Sequence, residues 1–327
     1  MAIFYPNNEN DVSYLIKQFI KYDVKFTIRC GGHAYEPASL SESYIIDVSK
    51  ITRIDVNRKE KYVCVGSGVK LGNLINELKQ YKLITPTGES SCVGLSGLVL
   101  AGGKGFLSRV IGMASDSIIS LKIVNHEGNI ITVDDNNYSD LLWAFKGAGT
   151  CNFGVVTEFK IKLYNDIYCN LNTFTWDWKP DIIKQVLTVY QDWITKIPYY
   201  ITTDINIMYN KGNATFTIKF YKFKREQIIE ADVFKNIGNP TITSCKGYYS
   251  KVTDCWVNLD TGLSQPFSKM KSIMIFNKNI EDDYLSIYTN SINTLLEKNY
   301  NIVFQYNFTQ MGVNLKKEVE VIFQEKH

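Results

Sequence analysis

Hydrophobic residues in the first half of the chain recur at helical spacing in two segments. In residues 9–22 the apolar positions share one helical face, and they are Val12, Leu15, Ile16 and Phe19. Asn10 or Asp11 is predicted to cap this helix, because a short polar side chain can accept hydrogen bonds from the first turn. Residues 69–81 repeat the pattern, with Leu71, Leu74, Ile75 and Leu78 on the core face. Both segments therefore predict amphipathic helices.

Other segments of the first half are short and rich in apolar or alternating residues, which is typical of strands. The predicted strands are 24–28, 44–48, 61–65 and 153–163. Residues 118–125 and 129–133 predict a hairpin around a Glu-Gly turn. Residues 139–145 predict a short helix.

The pattern changes after about residue 168, where glycine becomes rare and helical and strand spacings alternate. The predicted helices there are 182–193, 225–234 and 284–296, and the predicted strands are 201–209, 215–221 and 301–309. A chain of 327 residues exceeds what one hydrophobic core usually organises. We therefore predict an α+β protein with one domain at residues 1–168 and a second at 169–327.

Composition narrows the functional classes. The net charge of +3 is small for this length, and the chain has no basic run, so we expect no nucleic acid partner. No apolar stretch reaches the roughly 18 residues that span a bilayer. The first ten residues lack the basic start and apolar run of a secretory signal. We therefore predict a cytoplasmic protein with no membrane partner.

Cysteine and histidine usage argues against metal and hydrolytic sites. The seven cysteines are scattered without a CxxC pair, which favours reduced thiols. Only His33, His126 and His327 are present, and no spacing suits zinc, so we expect no metal. A Ser-His-Asp triad is disfavoured, because His126 falls in a predicted turn and His327 is the last residue.

The segment Arg29-Cys30-Gly31-Gly32-His33 follows a predicted strand and could bind an anion. Adjacent glycines allow the backbone to turn several N–H groups toward one point. Such a concavity binds a pyrophosphate, and Arg29 would add positive charge. The alternative is a tight turn with a structural histidine.

A second glycine-rich region is apolar rather than polar. It contains Gly88, Gly94, Gly97, Gly102, Gly103, Gly105 and Gly112. A flexible linker would be polar, so this region is predicted to be buried, with glycines where a ligand approaches the main chain. A set of core turns is the alternative. Residues 147–156 are also glycine-rich, but they precede a strand rather than a helix, which excludes a Rossmann loop.

Taken in order, these segments resemble the FAD-linked oxidases of the p-cresol methylhydroxylase/vanillyl-alcohol oxidase superfamily, and most closely the berberine-bridge-enzyme-like branch. The matching strings are RCGGHAYEPAS, YIIDVSKI, CVGLSGLVLAGGKGFLSRVIGMASDSI, DLLWAFKGAG and NFGVVTEFKIKL. The resemblance is strong over residues 3–165 and faint after 168. It implies a two-subdomain FAD-binding (PCMH-type) domain followed by an α/β substrate domain with an antiparallel sheet.

The resemblance also implies FAD bound covalently through His33, whose ring nitrogen would join the flavin 8α-methyl. It assigns further FAD contacts to Arg29, Cys30, Gly31, Gly32, Ala34, Ser90, Cys92, Val93, Gly94, Gly97, Leu98, Gly102, Gly103, Gly105, Asp116, Ser117, Ile118, Gly154, Val155 and Val156. Covalent attachment would fix the cofactor's orientation and tune its potential.

Two departures from the family pattern concern the flavin and the base. Many members carry a second flavin bond from cysteine in Gly-x-Cys-x-x-Val-Gly, but Ser90 holds that position here and Cys92 lies two residues later. We therefore predict a single covalent bond, with Cys92 as the alternative second one. Tyr306 and Gln305, on the predicted strand 301–309, are the candidate catalytic groups.

The expected function is an oxidase. It would take hydride from a small alcohol, sugar or secondary metabolite and pass the electrons to O2, giving H2O2. Val93 supports O2 as a partner, since a small side chain there leaves oxygen access in the family. The alternatives are a flavin-binding protein without turnover and a dehydrogenase of the same fold with a different acceptor.

Overall fold

A computed structural model provides the fold, and the chain divides into two compact units. One unit comprises residues 1–166 with 253–262, and the other comprises 167–252 with 263–327. The structure describes residues 2–34, 39–40, 42–150, 152–194, 196–210, 213–224, 231–254, 268–275, 290, 293, 303–310 and 319–326.

The first unit begins with a small parallel sheet under a helix. Its strands are β1 (Ala2–Phe4), β2 (Phe26–Arg29) and β3 (Tyr44–Asp47), in the order β1-β3-β2. Helix α1 (Glu9–Lys21) confirms the first predicted helix, and Val12, Ile16 and Phe19 pack against Ile46 and Val48.

The predicted cap of this helix is wrong. The N-cap is Asn8, whose Oδ1 accepts hydrogen bonds from the N–H groups of Asn10 at 2.9 Å and Asp11 at 3.1 Å. Asn10 and Asp11 therefore lie in the first turn and supply donors rather than the acceptor. All three residues are short and polar, so composition alone does not select among them.

The second sheet of the first unit is antiparallel. Its strands are β4 (Ile54–Asn57), β5 (Tyr62–Gly66), β7 (Ile118–Val124), β8 (Ile130–Val133) and β9 (Val155–Lys162), in the order β4-β5-β9-β7-β8. The predicted hairpin is confirmed as β7 and β8. A separate short pair is formed by β6 (Leu83–Ile84) and β10 (Tyr164–Asn165).

Helices cover one face of this sheet and form a single hydrophobic core with it. They are α2 (Leu71–Lys79), α3 (Leu95–Leu100) and α5 (Ser139–Ala148), while α4 (Ser108–Ile111) is a single turn. Leu74 of α2, Val99 of α3 and Phe145 of α5 are buried with Val63 of β5 and Phe159 of β9. The second predicted helix is therefore confirmed, although α2 starts later and ends earlier than 69–81.

A charged group joins α1 to the antiparallel sheet. Lys122 Nζ lies 3.3 Å from Glu9 Oε1 and 3.6 Å from Glu158 Oε1. The backbone hydrogen bond at the helix start, followed by the Lys122 charge, lowers the pKa of Glu9. A carboxylate with a depressed folded pKa stabilises the fold above its unfolded pKa and loses that contribution as pH falls through the folded pKa.

We expect Glu9→Gln to flatten the acid side of the stability curve. The native protein should lose stability as Glu9 is protonated below its ordinary pKa, and the variant should lack that step. Both side chains are about one-third exposed, so we expect less than about 1 kcal/mol. Urea unfolding between acid and neutral pH measures the effect, and a parallel acid limb in both proteins would contradict it.

The second unit contains an antiparallel sheet in the order β14-β11-β13-β12-β16-β17-β15. The strands are β11 (Tyr168–Asp177), β12 (Ile201–Asn210), β13 (Asn213–Lys222), β14 (Thr241–Tyr248), β15 (Ser268–Ile275), β16 (Val303–Gln310) and β17 (Val319–Lys326). Helix α6 (Pro180–Ile194) packs on one face, where Val186 and Tyr190 join Trp176, Ile207 and Phe216 in a hydrophobic core. The short helix α7 (Tyr249–Val252) follows β14.

Several predictions in this unit are confirmed and others are corrected. The predicted helix 182–193 is α6, and the paired strands 201–209 and 215–221 are β12 and β13. Of the predicted helix 225–234, residues 231–234 form one 3-10 turn and the remainder lies outside the described residues. Except for Asn290 and Asn293, the predicted helix 284–296 also lies outside them. The combination of helices and antiparallel sheets agrees with the predicted fold class. Within the described residues, no helix is long and apolar enough to cross a membrane.

Candidate functional site

The candidate site begins where two parallel strands of the first sheet end together. Arg29 and Asp47 are register partners at the ends of β2 and β3, and Arg29 Nε lies 3.6 Å from Asp47 Oδ2. Asp47 is buried, and its Oδ1 also accepts the Ser49 N–H at 3.0 Å. The carboxylate of the ion pair is therefore held in place. The sequence analysis assigned no role to Asp47, although this residue lies near the end of a predicted strand. Carboxyl ends of parallel strands commonly carry ligand loops.

The loop after Arg29 packs directly on the second glycine-rich region. A Cβ on Gly31 would lie 2.3 Å from the Gly94 nitrogen, and one on Gly94 would lie 2.5 Å from Cys30 Sγ. Gly32 has a φ of +67°, which favours glycine. The structure therefore brings together two segments that the sequence singled out separately.

The imidazole of His33 lies against this second region. His33 Nε2 is 3.0 Å from Cys92 Sγ, and Cys92 Sγ is 3.2 Å from Ser90 Oγ. All three side chains are half-buried. Cys92, the alternative residue for a second flavin bond, is thus in direct contact with His33. Ala34 follows as an exposed residue.

The Cys30 side chain is held inside the loop. Its Sγ donates to the Ser67 carbonyl at 3.1 Å, and Ser96 Oγ donates to the same carbonyl. Burial raises the pKa of the Cys30 thiol, so the thiol stays protonated as a donor at neutral pH. Any contribution of Cys30 to a ligand is therefore expected from its main chain. Ser67 and Ser96 were not predicted as part of this region.

The glycines between residues 97 and 105 serve different purposes. A Cβ on Gly105 would lie 1.8 Å from the Thr87 carbonyl oxygen, and one on Gly103 would lie 2.6 Å from the Ala114 Cβ. Packing within the protein requires glycine at these two positions. This agrees with the alternative that the region is a set of core turns. Gly102 has a φ of +103°. At Gly97, which is exposed, no atom of the described residues lies within 4 Å of a Cβ position.

The remaining predicted contacts lie in the antiparallel sheet and its connections. Asp116 is exposed and its Oδ2 accepts the Met113 N–H at 2.8 Å. Several predicted residues have side chains in or beside the hydrophobic cores, so they could reach a cofactor mainly through their backbones: Val93, Leu98, Ile118, Val155 and Val156. Gly154 has a φ of +133°, and a Cβ there would lie 2.6 Å from the Val124 carbonyl oxygen.

Among the predicted FAD contacts, two buried side-chain polar atoms make no hydrogen bond to the described residues. They are Arg29 Nε and Ser117 Oγ. Buried polar atoms normally have a partner, so each is suited to a bound group. The guanidinium suits a pyrophosphate charge, and the exposed backbone at Gly97 permits close approach. The residues present therefore fit an extended dinucleotide. Within the described part of the chain no group of three or more His, Cys, Asp or Glu could hold a metal.

The two candidate catalytic residues belong to the second unit. On β16, Tyr306 pairs with Ile207 and Gln305 pairs with Met208 of β12. Ile207 is buried in the core against α6, whereas Met208 is exposed. Partners across an antiparallel pair share a face. The register therefore places position 306 on the core face and position 305 on the opposite one, and a catalytic role for either stays a prediction.

Comparisons with known proteins identify the domain and the fold. Residues 1–134 match a family model described as "FAD binding domain". The chain is 35% identical over 208 residues to an uncharacterised FAD-linked oxidoreductase, YgaK of Bacillus subtilis, covering 62% of this chain and 46% of that protein. A second B. subtilis protein of that description, YvdP, is 31% identical over 254 residues, covering 76% of this chain and 56% of that protein. The chain thus spans about half the length of these curated relatives.

Solved structures share the fold at low identity. 6-Hydroxy-D-nicotine oxidase from Arthrobacter nicotinovorans superposes with a TM-score of 0.82 at 22% identity, covering 99% of this chain and 74% of that one. Berberine bridge enzyme from Eschscholzia californica gives 0.84 at 17% identity, covering 99% and 70%. The fold predicted from the family resemblance is therefore confirmed.

Proposed function

We propose that the chain is an FAD-linked oxidoreductase that binds FAD covalently through His33 and oxidises a small organic substrate. The observation that carries the proposal is the position of His33 at the end of a double-glycine loop, packed on the region that contains Cys92 and Gly94. A reactive nitrogen beside a backbone-lined anion site is the arrangement that covalent attachment of a dinucleotide needs.

Several residues of the chain would each contribute to FAD binding. Arg29, oriented by Asp47, would neutralise pyrophosphate charge, and Ser117 Oγ would gain the hydrogen-bond partner it lacks among the described residues. The exposed backbone at Gly97 would admit the cofactor. When bound, FAD supplies the hydride acceptor. The protein then has to hold the donor carbon close to it with a base in hydrogen-bond reach.

We further propose that O2 is the electron acceptor, because Val93 is small and half-buried in the segment that contacts His33. The descriptions of the related FAD-linked oxidoreductases name no substrate. Two of the solved structures that share the fold are 6-hydroxy-D-nicotine oxidase and a chitooligosaccharide oxidase. An alcohol, a sugar or another secondary metabolite is the proposed donor class.

We expect rapid reoxidation of the reduced protein and a selective loss of it in Val93→Ile. The purified protein is reduced with dithionite without air, mixed with air-saturated buffer, and followed by flavin absorbance and H2O2. The added methylene should obstruct oxygen and slow reoxidation about tenfold or more, while electron transfer to a soluble dye persists.

Val110→Ile is the matched control, because Val110 is also half-buried in this region and has no assigned flavin contact. It should reoxidise like the native protein. Reoxidation slower than that of free reduced flavin, without H2O2, would contradict the oxidase. Efficient dye reduction alone would instead favour the dehydrogenase, and a colourless protein would reject FAD binding.

A further inference from the structure

The outer face of the antiparallel sheet in the first unit carries a depression of about 650 Å³. Val63 and Val65 of β5 pack into the hydrophobic core on the inner face, so the alternating residues Tyr62 and Cys64 line the depression. None of the residues that line it is among the predicted FAD contacts. Its volume lies within the range of small-molecule sites, which is roughly 300–1,000 Å³.

The lining of this depression has an excess of positive charge. Four basic and two acidic side chains line it, which gives a net charge of +2. Each carboxylate already has a basic partner, in the pairs Arg53–Asp55 and Lys122–Glu158. The excess therefore comes from Arg58 and Lys59, which are adjacent and exposed in the turn between β4 and β5.

The neighbouring side chains hold Arg58 and maintain the positive charge. The Arg58 guanidinium lies over the Tyr81 ring, 5.2 Å from the ring centroid. Stacking uses the face of the guanidinium, and its N–H edge can still bind an oxyanion with two hydrogen bonds. Lys160 Nζ lies 4.0 Å from the centroid of the Tyr62 ring, and its charge offsets that of Glu9 beside the second ion pair.

We propose that this depression binds a small molecule that carries two or more phosphate groups, with Arg58 and Lys59 contacting the phosphates. Arginine offers a fork of N–H donors that matches a phosphate, and lysine adds a compact charge. An extended acidic polypeptide is disfavoured, because it would cross the sheet past the carboxylates of Asp55 and Glu158. All of these residues belong to the first unit, and the inference does not depend on FAD.

Calorimetric titration of the full chain with inorganic tripolyphosphate tests the site, with FAD in excess to fill the proposed pyrophosphate loop. The Arg58→Gln/Lys59→Gln double variant should bind tripolyphosphate roughly tenfold more weakly or worse, since two charge-assisted contacts are lost. Raised salt should also weaken native binding. Lys25→Gln/Lys184→Gln is the matched control, because it removes the same charge from two exposed lysines that do not line the depression. It should bind like the native protein.

The thiol of Cys64 reports where the probe binds. Cys64 is half-buried in the lining, and burial raises its pKa, so alkylation is followed by peptide mass at alkaline pH. Tripolyphosphate should slow alkylation of Cys64 severalfold and leave that of Cys245, in the second unit, unchanged. Absence of binding, equal affinities of the two double variants, equally tight binding of citrate, or an unprotected Cys64 would each overturn the inference. A colourless protein would reject FAD binding and leave these expectations as they stand.

Discussion

Replacing Gly94 with alanine should destabilise the first unit strongly and reduce its flavin content. The new Cβ would lie 2.5 Å from both Cys30 Sγ and the Gly31 nitrogen, and neither can easily move. Cys30 is hydrogen-bonded to Ser67, and Gly31 follows the ion-paired end of β2. Overpacking of this kind costs about 3 kcal/mol, or roughly 6 to 12 °C in melting temperature. The measurement is thermal and urea unfolding of the cofactor-free protein, followed by flavin content after loading.

Gly97→Ala is the matched control in the same region. No atom of the described residues lies within 4 Å of its Cβ position, and Gly97 is inside α3. Alanine should therefore leave the cofactor-free protein as stable as before, or more stable by up to about 1 kcal/mol from helix propensity. If FAD approaches this backbone as proposed, flavin binding should nevertheless weaken. Equal stability of Gly94→Ala and the native protein would show that the loop is not packed as described.

The contrast between these two glycines marks what the sequence could predict about the site. A glycine-rich apolar segment indicates close backbone approach, but it does not say whether the approaching atoms belong to a ligand or to the protein. Gly105 and Gly103 pack against Thr87 and Ala114, whereas Gly97 is open. The distinction depends on contacts between segments that are distant along the chain, which local pattern does not contain.

The same limit separates the elements that were predicted from those that were not. Helices α1, α2 and α6 have a continuous apolar face, and periodicity is enough to find them. Strand β14 is largely exposed, so its side chains carry little alternation and only pairing with β11 defines it. Helix α3 begins within the glycine-rich region, where composition favours turns over helix.

Cys92 shows how position in a motif and position in space can differ. The family pattern draws attention to Ser90, because Ser90 holds the usual cysteine position. In the fold the Cys92 thiol contacts His33, and Ser90 contacts Cys92. Residues 91 and 92 lie in a turn, and the Ser90 and Cys92 side chains come within 3.2 Å of each other there. This geometry makes Cys92 available to His33, although it does not match the motif.

Replacing His33 with alanine should abolish acid-stable flavin while leaving the fold intact. His33 is half-buried in a loop, so losing its ring should change stability by less than about 1 kcal/mol. The native protein should carry one FAD in its intact mass and keep its yellow colour on the polypeptide after acid precipitation. In His33→Ala the backbone and Arg29 would still bind FAD, but the flavin would pass into the supernatant.

His126→Ala is the control for a histidine change, because His126 is exposed in the hairpin turn between β7 and β8. It should retain covalent flavin in full. If native protein also releases its flavin on denaturation, the covalent bond does not form, and Arg29 and the glycine backbone alone would account for binding. If His33→Ala keeps the flavin on the chain, another nucleophile carries it. Cys92, 3.0 Å from the native His33 ring, would then be the first residue to replace in that background.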